Sequence, residues 1–265
     1  MPVIFNRRNG TAGDHPGPGP QALRGSVRLN TTIMLFLIQD GITNGAIYAL
    51  LGLALVLVFA VTRVILIPQG EFVTYGALSY AMLCAGNVPG TVWLAMAMGA
   101  GAFAFDLFAA RRGLHLKKLA RSLALNIVFP AAILAATYLL VGPKTPIAVN
   151  IVLALLTVAA ISLYLYRLAF QPLAHTSVLV LLIASVGVHL ALQGLGLVFF
   201  GAEGLRGPPL SNAAFTIGDL RFTGQSIAVY VVTVAFIVAL WLFFGTTLMG
   251  KALRATAVNR LGARL

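Results

Sequence analysis

Pro68-Gln69-Gly70-Glu71 sets two helix-breaking residues beside an amide and a carboxylate. A carboxylate in the first turn of a helix complements the helix dipole, and broken helices are a common way to build substrate sites inside membrane bundles. The same four residues also suit an ordinary helix start at a membrane surface. Ser185, His189 and Gln193 recur every fourth residue and share one helical face. Such a stripe either lines a polar path or ties two helices together by hydrogen bonds. Asp40 lies with Gln39, Thr43 and Asn44 near one end of an apolar run. An acid inside a membrane segment is a functional candidate, while one near a segment end can meet headgroups or water. Asp106 precedes Arg111 and Arg112, which makes it their local charge partner.

Other chemistry is missing from the sequence. It holds no P-loop, no G-x-S-x-G, no H-E-x-x-H and no paired carboxylates. The chain therefore lacks its own ATPase motif and does not read as an enzyme. Cys84 is the single cysteine, which leaves no intramolecular disulfide and no cysteine-based metal site. His15, His115, His175 and His189 show no ligand spacing, and no cofactor is expected.

The elements that must position these groups are apolar. Of 265 residues, 60% are hydrophobic and 9% charged, and the mean hydropathy is +0.96. A soluble domain carries about 25% charged residues, so a soluble fold is excluded. The net charge of +12 comes from 18 Lys and Arg against 6 acids. These basic residues fall mostly in tails and loops, as in cytoplasmic loops of membrane proteins. No basic stripe interleaved with aromatics marks a nucleic-acid binder.

The fold class read from this pattern is all-α, a polytopic transmembrane helical bundle. About seven apolar segments cover 33–60, 71–85, 91–109, 123–141, 147–166, 177–200 and 226–245. A helix crosses the ~30 Å hydrocarbon core in roughly 20 residues, and long apolar runs without alternation mean helices rather than a barrel. The organisation expected is a disordered tail over 1–30, a membrane domain over 31–245 and a cytoplasmic segment over 246–265. The tail is rich in Gly and Pro and has no secretory h-region.

Loop 110–122 and the C-terminal tail are both basic and belong on the cytoplasmic side. Loops 86–90, 142–146 and 201–225 then lie outside. Seven full crossings would also put the N-terminal tail outside, although it holds Arg7, Arg8, Arg24 and Arg28. A re-entrant or discontinuous segment at 71–85 would put that tail inside instead, and this is the arrangement expected here.

Gly41, Gly45, Ala49 and Gly52 share a face that allows close helix approach. In the tail, Leu253, Ala257, Leu261 and Leu265 form an apolar stripe beside Lys251, Arg254, Arg260 and Arg264. That helix either lies on anionic membrane lipid or docks on a partner protein.

Three stretches, in order, resemble the branched-chain amino acid ABC transporter permeases of the LivH-like type. NGAIYALLGLALVLVFAVTRVILIPQGEFVTYGALSYAML looks like the family's opening helix and its N-(F/L)-A-(H/Q)-G-(E/D) turn, here Ile67 to Glu71. Tyr166 to Leu173 is similar to its R-x-x-Y-R-P-(L/V) loop, and LLIASVGVHLALQ to the helix that follows. MGKALRATAVNRLGARL looks like its coupling loop. Residues 99–147 add a basic loop and an apolar segment beyond the compact family pattern. The family continues past the coupling loop with further helices, so the chain is expected to be a truncated or split member.

The resemblance implies a permease subunit of an ATP-driven importer for branched-chain or related hydrophobic amino acids, working by alternating access in the cell inner membrane. It implies a second permease subunit, cytoplasmic ATP-binding subunits and a periplasmic substrate-binding protein as partners. Asn44, Tyr48, Gln69, Gly70, Glu71, Ser185, His189 and Gln193 become pathway candidates. Gly250, Arg254, Ala257, Asn259, Leu261, Gly262 and Ala263 become candidates for coupling to the ATPase. The alternatives are an ion-coupled secondary transporter, for which Asp40 and Glu71 are the available acids, and a non-transporting membrane subunit.

Overall fold

The computed structural model describes residues 20–62, 64–110, 116–142, 145–174, 176–210, 213–217 and 220–258. They form an all-α polytopic bundle. Helix α1 spans Pro20–Thr62, α2 Gln69–Cys84, α3 Gly90–Ala110, α4 Leu116–Leu123 and α5 Phe129–Leu140. Then come α6 Ile147–Leu165, α7 Val178–Phe200, α8 Gly224–Thr246 and α9 Leu248–Val258. Single π-helical turns, Ala124–Val128 and Tyr166–Phe170, prolong α4 into α5 and extend α6. Six helical stretches are long and apolar enough to cross a membrane: Ile33–Ala60, Gly90–Phe108, Leu119–Leu140, Ile147–Phe170, Val178–Phe200 and Gly224–Thr246.

Two expectations need correction. Residues 20–30, read as disordered tail, belong to α1, where Pro20 suits the first helical position; residues 1–19 lie outside the described part. The connection 201–225, read as a plain loop, contains an antiparallel strand pair with Ala214 opposite Thr223 and Ile217 opposite Leu220.

The segment expected at 71–85 follows a non-helical stretch, and 64–84 together traverse the bundle. Beyond Thr62 the chain leaves α1 and returns non-helically into the bundle, so that Gln69 Nε2 reaches the carbonyl of Leu51, 2.9 Å away. Only then does α2 begin, 16 residues long. It runs parallel to α7, with Tyr75 Oη donating to the Leu192 carbonyl at 2.6 Å, and finishes beside the start of α6, where Asn150 contacts Cys84.

Helices α1 and α8 also run parallel. Thr43, midway along α1, meets Tyr230 in the first half of α8, while Ala60 and Gly245 line one cavity near their last turns. The start of α1 therefore lies at the end of the bundle opposite α9. That overturns the arrangement with the N-terminal side at the same end as the basic C-terminal segment. It follows from the crossing of 64–84, which sequence pattern alone treats as too short.

The core is built by α2, α3, α5, α6 and α7. Tyr75, Val92, Ala95, Ala102, Ile133, Ile161 and Tyr164 are buried there. In contrast, the membrane stretches of α1 and α8 are 0% and 6% buried.

The π turn at 124–128 has an identifiable origin. Pro130 offers no N–H and its ring excludes the carbonyl four residues earlier. The ladder shifts by one, and Phe129 N–H bonds to the Ala124 carbonyl instead. The displaced Asn126 carbonyl then presses on Gly99 of α3, where a Cβ would lie 2.3 Å from that oxygen. Only glycine fits. Gly99→Ala should lower stability by about 1–3 kcal/mol, read as a drop in thermal midpoint in detergent. Gly101→Ala, whose Cβ would sit 3.7 Å from Leu168, should leave the midpoint unchanged or raise it; equal losses at both positions would refute this account of the bulge.

Candidate functional site

The break before α2 exposes backbone in a medium without water, so each freed group needs a partner. Val64 N–H bonds to Thr62 Oγ1 at 3.2 Å. Ile67 N–H bonds to Ser185 Oγ at 2.9 Å and lies 3.1 Å from the Ile65 carbonyl. Pro68 needs no donor partner, and its carbonyl receives Glu71 N–H at 3.0 Å. Ser185 is fully buried in α7. Its hydroxyl holds the interruption in place, which is the tying role weighed for this stripe.

One turn further along both helices, Glu71 faces His189. Their Oε1 and Nδ1 atoms are 3.2 Å apart, and the side chains are 15% and 31% exposed. Glu71 is the one acid in the first turn of α2, where the helix dipole favours negative charge. Gln69 Oε1, at the same helix start, is buried and has no hydrogen-bond partner among the described residues. Gln69, Glu71, Ser185 and His189 thus converge, as a polar patch on a helix start inside an apolar bundle. Such a patch can receive the polar end of a largely apolar solute.

The other pathway candidates do not join them. Gly70 lies at the helix start but is exposed, and a Cβ there would meet nothing. Gln193 is exposed, one turn beyond His189. Asn44 donates to Asp40 Oδ2 at 3.2 Å on an exposed face of α1, and Tyr48 is 71% exposed. The small-residue face of α1 meets nothing within 4 Å at Gly41, Gly45 or Gly52.

A second polar cluster was not foreseen. Arg167, in the π turn after α6, places one guanidinium nitrogen 2.6 Å from both carboxylate oxygens of Asp106 on α3. Its other terminal nitrogen donates to Asn126 Oδ1 at 2.9 Å. Asn126 donates to Asp106 at 3.1 Å and to Ser122 at 3.0 Å, and Ser122 Oγ also donates to Asp106. Tyr164 Oη bonds to the Leu125 carbonyl at 2.7 Å. Two π turns, features common at functional sites, therefore meet at one ion pair. Asp106 is not simply a local partner of Arg111 and Arg112, which lie outside the described residues. The available signal was an acid, an amide and an arginine in otherwise apolar segments, which must find one another.

Of the coupling candidates, Gly250 is buried at the corner between α8 and α9, where a Cβ would lie 2.2 Å from the Phe243 carbonyl oxygen. Arg254 donates to the carbonyl of Phe244. Ala257 lies in α9, with its side chain outside the description; Asn259, Leu261, Gly262 and Ala263 lie outside the described residues. Among the described residues no group of three or more His, Cys, Asp or Glu could hold a metal.

No family model matches the chain, and neither a curated protein nor a solved structure matches it.

Ser185→Ala should cost about 1 kcal/mol by removing the hydroxyl from the Ile67 amide, whereas exposed Gln193→Ala should stay within ~0.5 kcal/mol of the parent. Thermal unfolding of the purified variants checks both. In a double-mutant cycle, Asp106→Asn and Arg167→Gln should show a coupling of about 0.5–3 kcal/mol. Strict additivity would mean that the ion pair does not hold α3 to α6.

Proposed function

We propose that this chain is the membrane-spanning subunit of an ATP-driven importer for branched-chain or related hydrophobic amino acids. The observation that carries the reading is the helix interruption at 64–68, which Ser185 of α7 holds and which sets Glu71 of α2 against His189 of α7. Discontinuous helices whose half-helix ends face a polar patch are a recurrent means of binding solutes within membranes. The ordered resemblance of three stretches to the permease family supports the choice of solute.

In this reading α9 and the basic loops face the cytoplasm of a cell inner membrane, and ATP-binding subunits dock at α9. A periplasmic binding protein delivers the solute near 201–225, and a second permease subunit completes the path. Nucleotide binding at the partners shifts the bundle between two packings. Gly250 and Arg254 shape the α8–α9 corner, so they act by aiming α9 rather than by touching a partner.

Glu71 beside His189 also favours one other reading, an ion-coupled secondary transporter, because both side chains can exchange protons. Uptake of labelled leucine into vesicles separates the two. The importer reading expects uptake only with the ATP-binding subunits, binding protein and ATP present, and a loss of tenfold or more in Glu71→Ala, of the size that follows from removing a ~1.4 kcal/mol interaction. Uptake that persists without ATP and collapses with the proton gradient would establish the secondary transporter.

A further inference from the structure

A cavity of 510 Å³ lies between α1, α8 and α9, away from the Glu71–His189 patch. Its walls are apolar, with Leu57 and Ala60 from α1 and Leu240, Trp241 and Gly245 from α8. Its size falls within the roughly 300–1,000 Å³ typical of small-ligand sites. Arg254 stands at the end where α8 turns into α9.

The turn is built to put it there. Thr247 closes α8 by donating to the Phe243 carbonyl at 2.6 Å and starts α9 by accepting from Gly250 N–H at 3.0 Å. Buried Gly250 lets α9 fold tightly against the last turn of α8. Arg254 then reaches the Phe244 carbonyl, one of the orphan acceptors at a helix end. That bond occupies one terminal nitrogen of a group with five N–H donors. Arg254 and Lys251 are both exposed.

We propose that this groove is a binding site for an anionic phospholipid, with an acyl chain between α1 and α8 and the phosphate on Arg254. Three features select this occupant. The groove opens on the two helices whose membrane stretches are least buried, so acyl chains are what surround it. Arg254, the one cationic lining residue among the described residues, sits just past the end of the apolar stretch of α8. The fixed guanidinium offers a phosphate its remaining donors, which a zwitterionic headgroup would use with less net attraction.

Fluorescence of Trp241 tests this in the full-length protein in vesicles, with Trp93→Phe making Trp241 the one emitter, since the chain has 2 Trp. Phosphatidylglycerol brominated on its acyl chains should quench Trp241 with an apparent affinity about fivefold above brominated phosphatidylcholine, the size expected for one basic residue near an anionic headgroup. Arg254→Gln should abolish that preference. Gly245→Leu should abolish it too, by filling the groove without changing charge; a Cβ there meets nothing within 4 Å, and leucine strengthens the helix. Equal quenching by both lipids in the parent overturns the proposal. So does shielding of Trp241 from both lipids, which would show that protein, a second copy or another subunit, covers the groove.

Discussion

Every backbone amide and carbonyl inside a membrane needs a partner, and the irregular parts of this molecule are solutions to that requirement. A continuous helix satisfies it internally. Where the chain departs from a helix, at 64–68, at the two π turns and at the α8–α9 corner, a specific side chain steps in. Ser185 and Thr62 serve the first break, Tyr164 binds the Leu125 carbonyl in the first π turn, and Thr247 and Arg254 serve the corner. An unsatisfied buried amide costs about 1–3 kcal/mol, comparable to a sizeable share of the net stability of a domain. Several polar residues within the apolar helices, Ser185, Thr62, Tyr164 and Thr247 among them, thus serve the places where helices are interrupted.

The interruptions in turn decide how the helices pack. Because 64–68 is non-helical, α2 starts partway along the bundle and can lie parallel to α7, with Tyr75 bonded to Leu192 at its middle. Because Pro130 forces a π turn, the Asn126 side chain swings to the end where Asp106 and Arg167 meet. The ion pair and its amide then clamp three segments, α3, the start of α5 and the end of α6. Its members are 22% and 31% exposed, so desolvation is incomplete and the hydrogen-bond network, more than the bare Coulomb term, sets its strength.

The membrane helices were legible in the sequence because length and hydropathy alone determine them. An interruption near Pro68 was legible because Pro acts locally, but it lies at 64–68, and Gln69 and Gly70 are already helical. The crossing of 64–84 was not legible, since its non-helical first part carries no period that hydropathy can register. Nor was the Asp106–Arg167 pair, whose members are 61 residues apart in sequence; Arg111 and Arg112 offered a nearer and misleading partner. Glu71, Ser185 and His189 were all singled out, yet their division of labour was hidden. Which of two stripe residues binds the broken backbone and which faces the carboxylate depends on the register of α2 against α7, a tertiary quantity. Asn44 and Tyr48 failed to join the site for the same reason: motif spacing places them on α1 but says nothing of the face that α1 turns outward.

That register has a consequence for the polar patch. Ser185 engages the backbone at Ile67, four residues before Glu71, and His189 follows Ser185 by four. Ile67, in the break just before α2, and Glu71, in the first turn of α2, meet neighbouring turns of α7, which links the backbone bond to the side-chain pair. A slide of α2 along α7 large enough to part Glu71 from His189 would also pull Ile67 from Ser185. The patch therefore changes as a unit: either both contacts persist or both are lost. Linked contacts of this kind favour two discrete packings over a continuum, because intermediate positions leave polar groups unpaired in an apolar surrounding. Here that linkage arises from the break at 64–68, the start of α2 directly after it and the Ser185 hydroxyl.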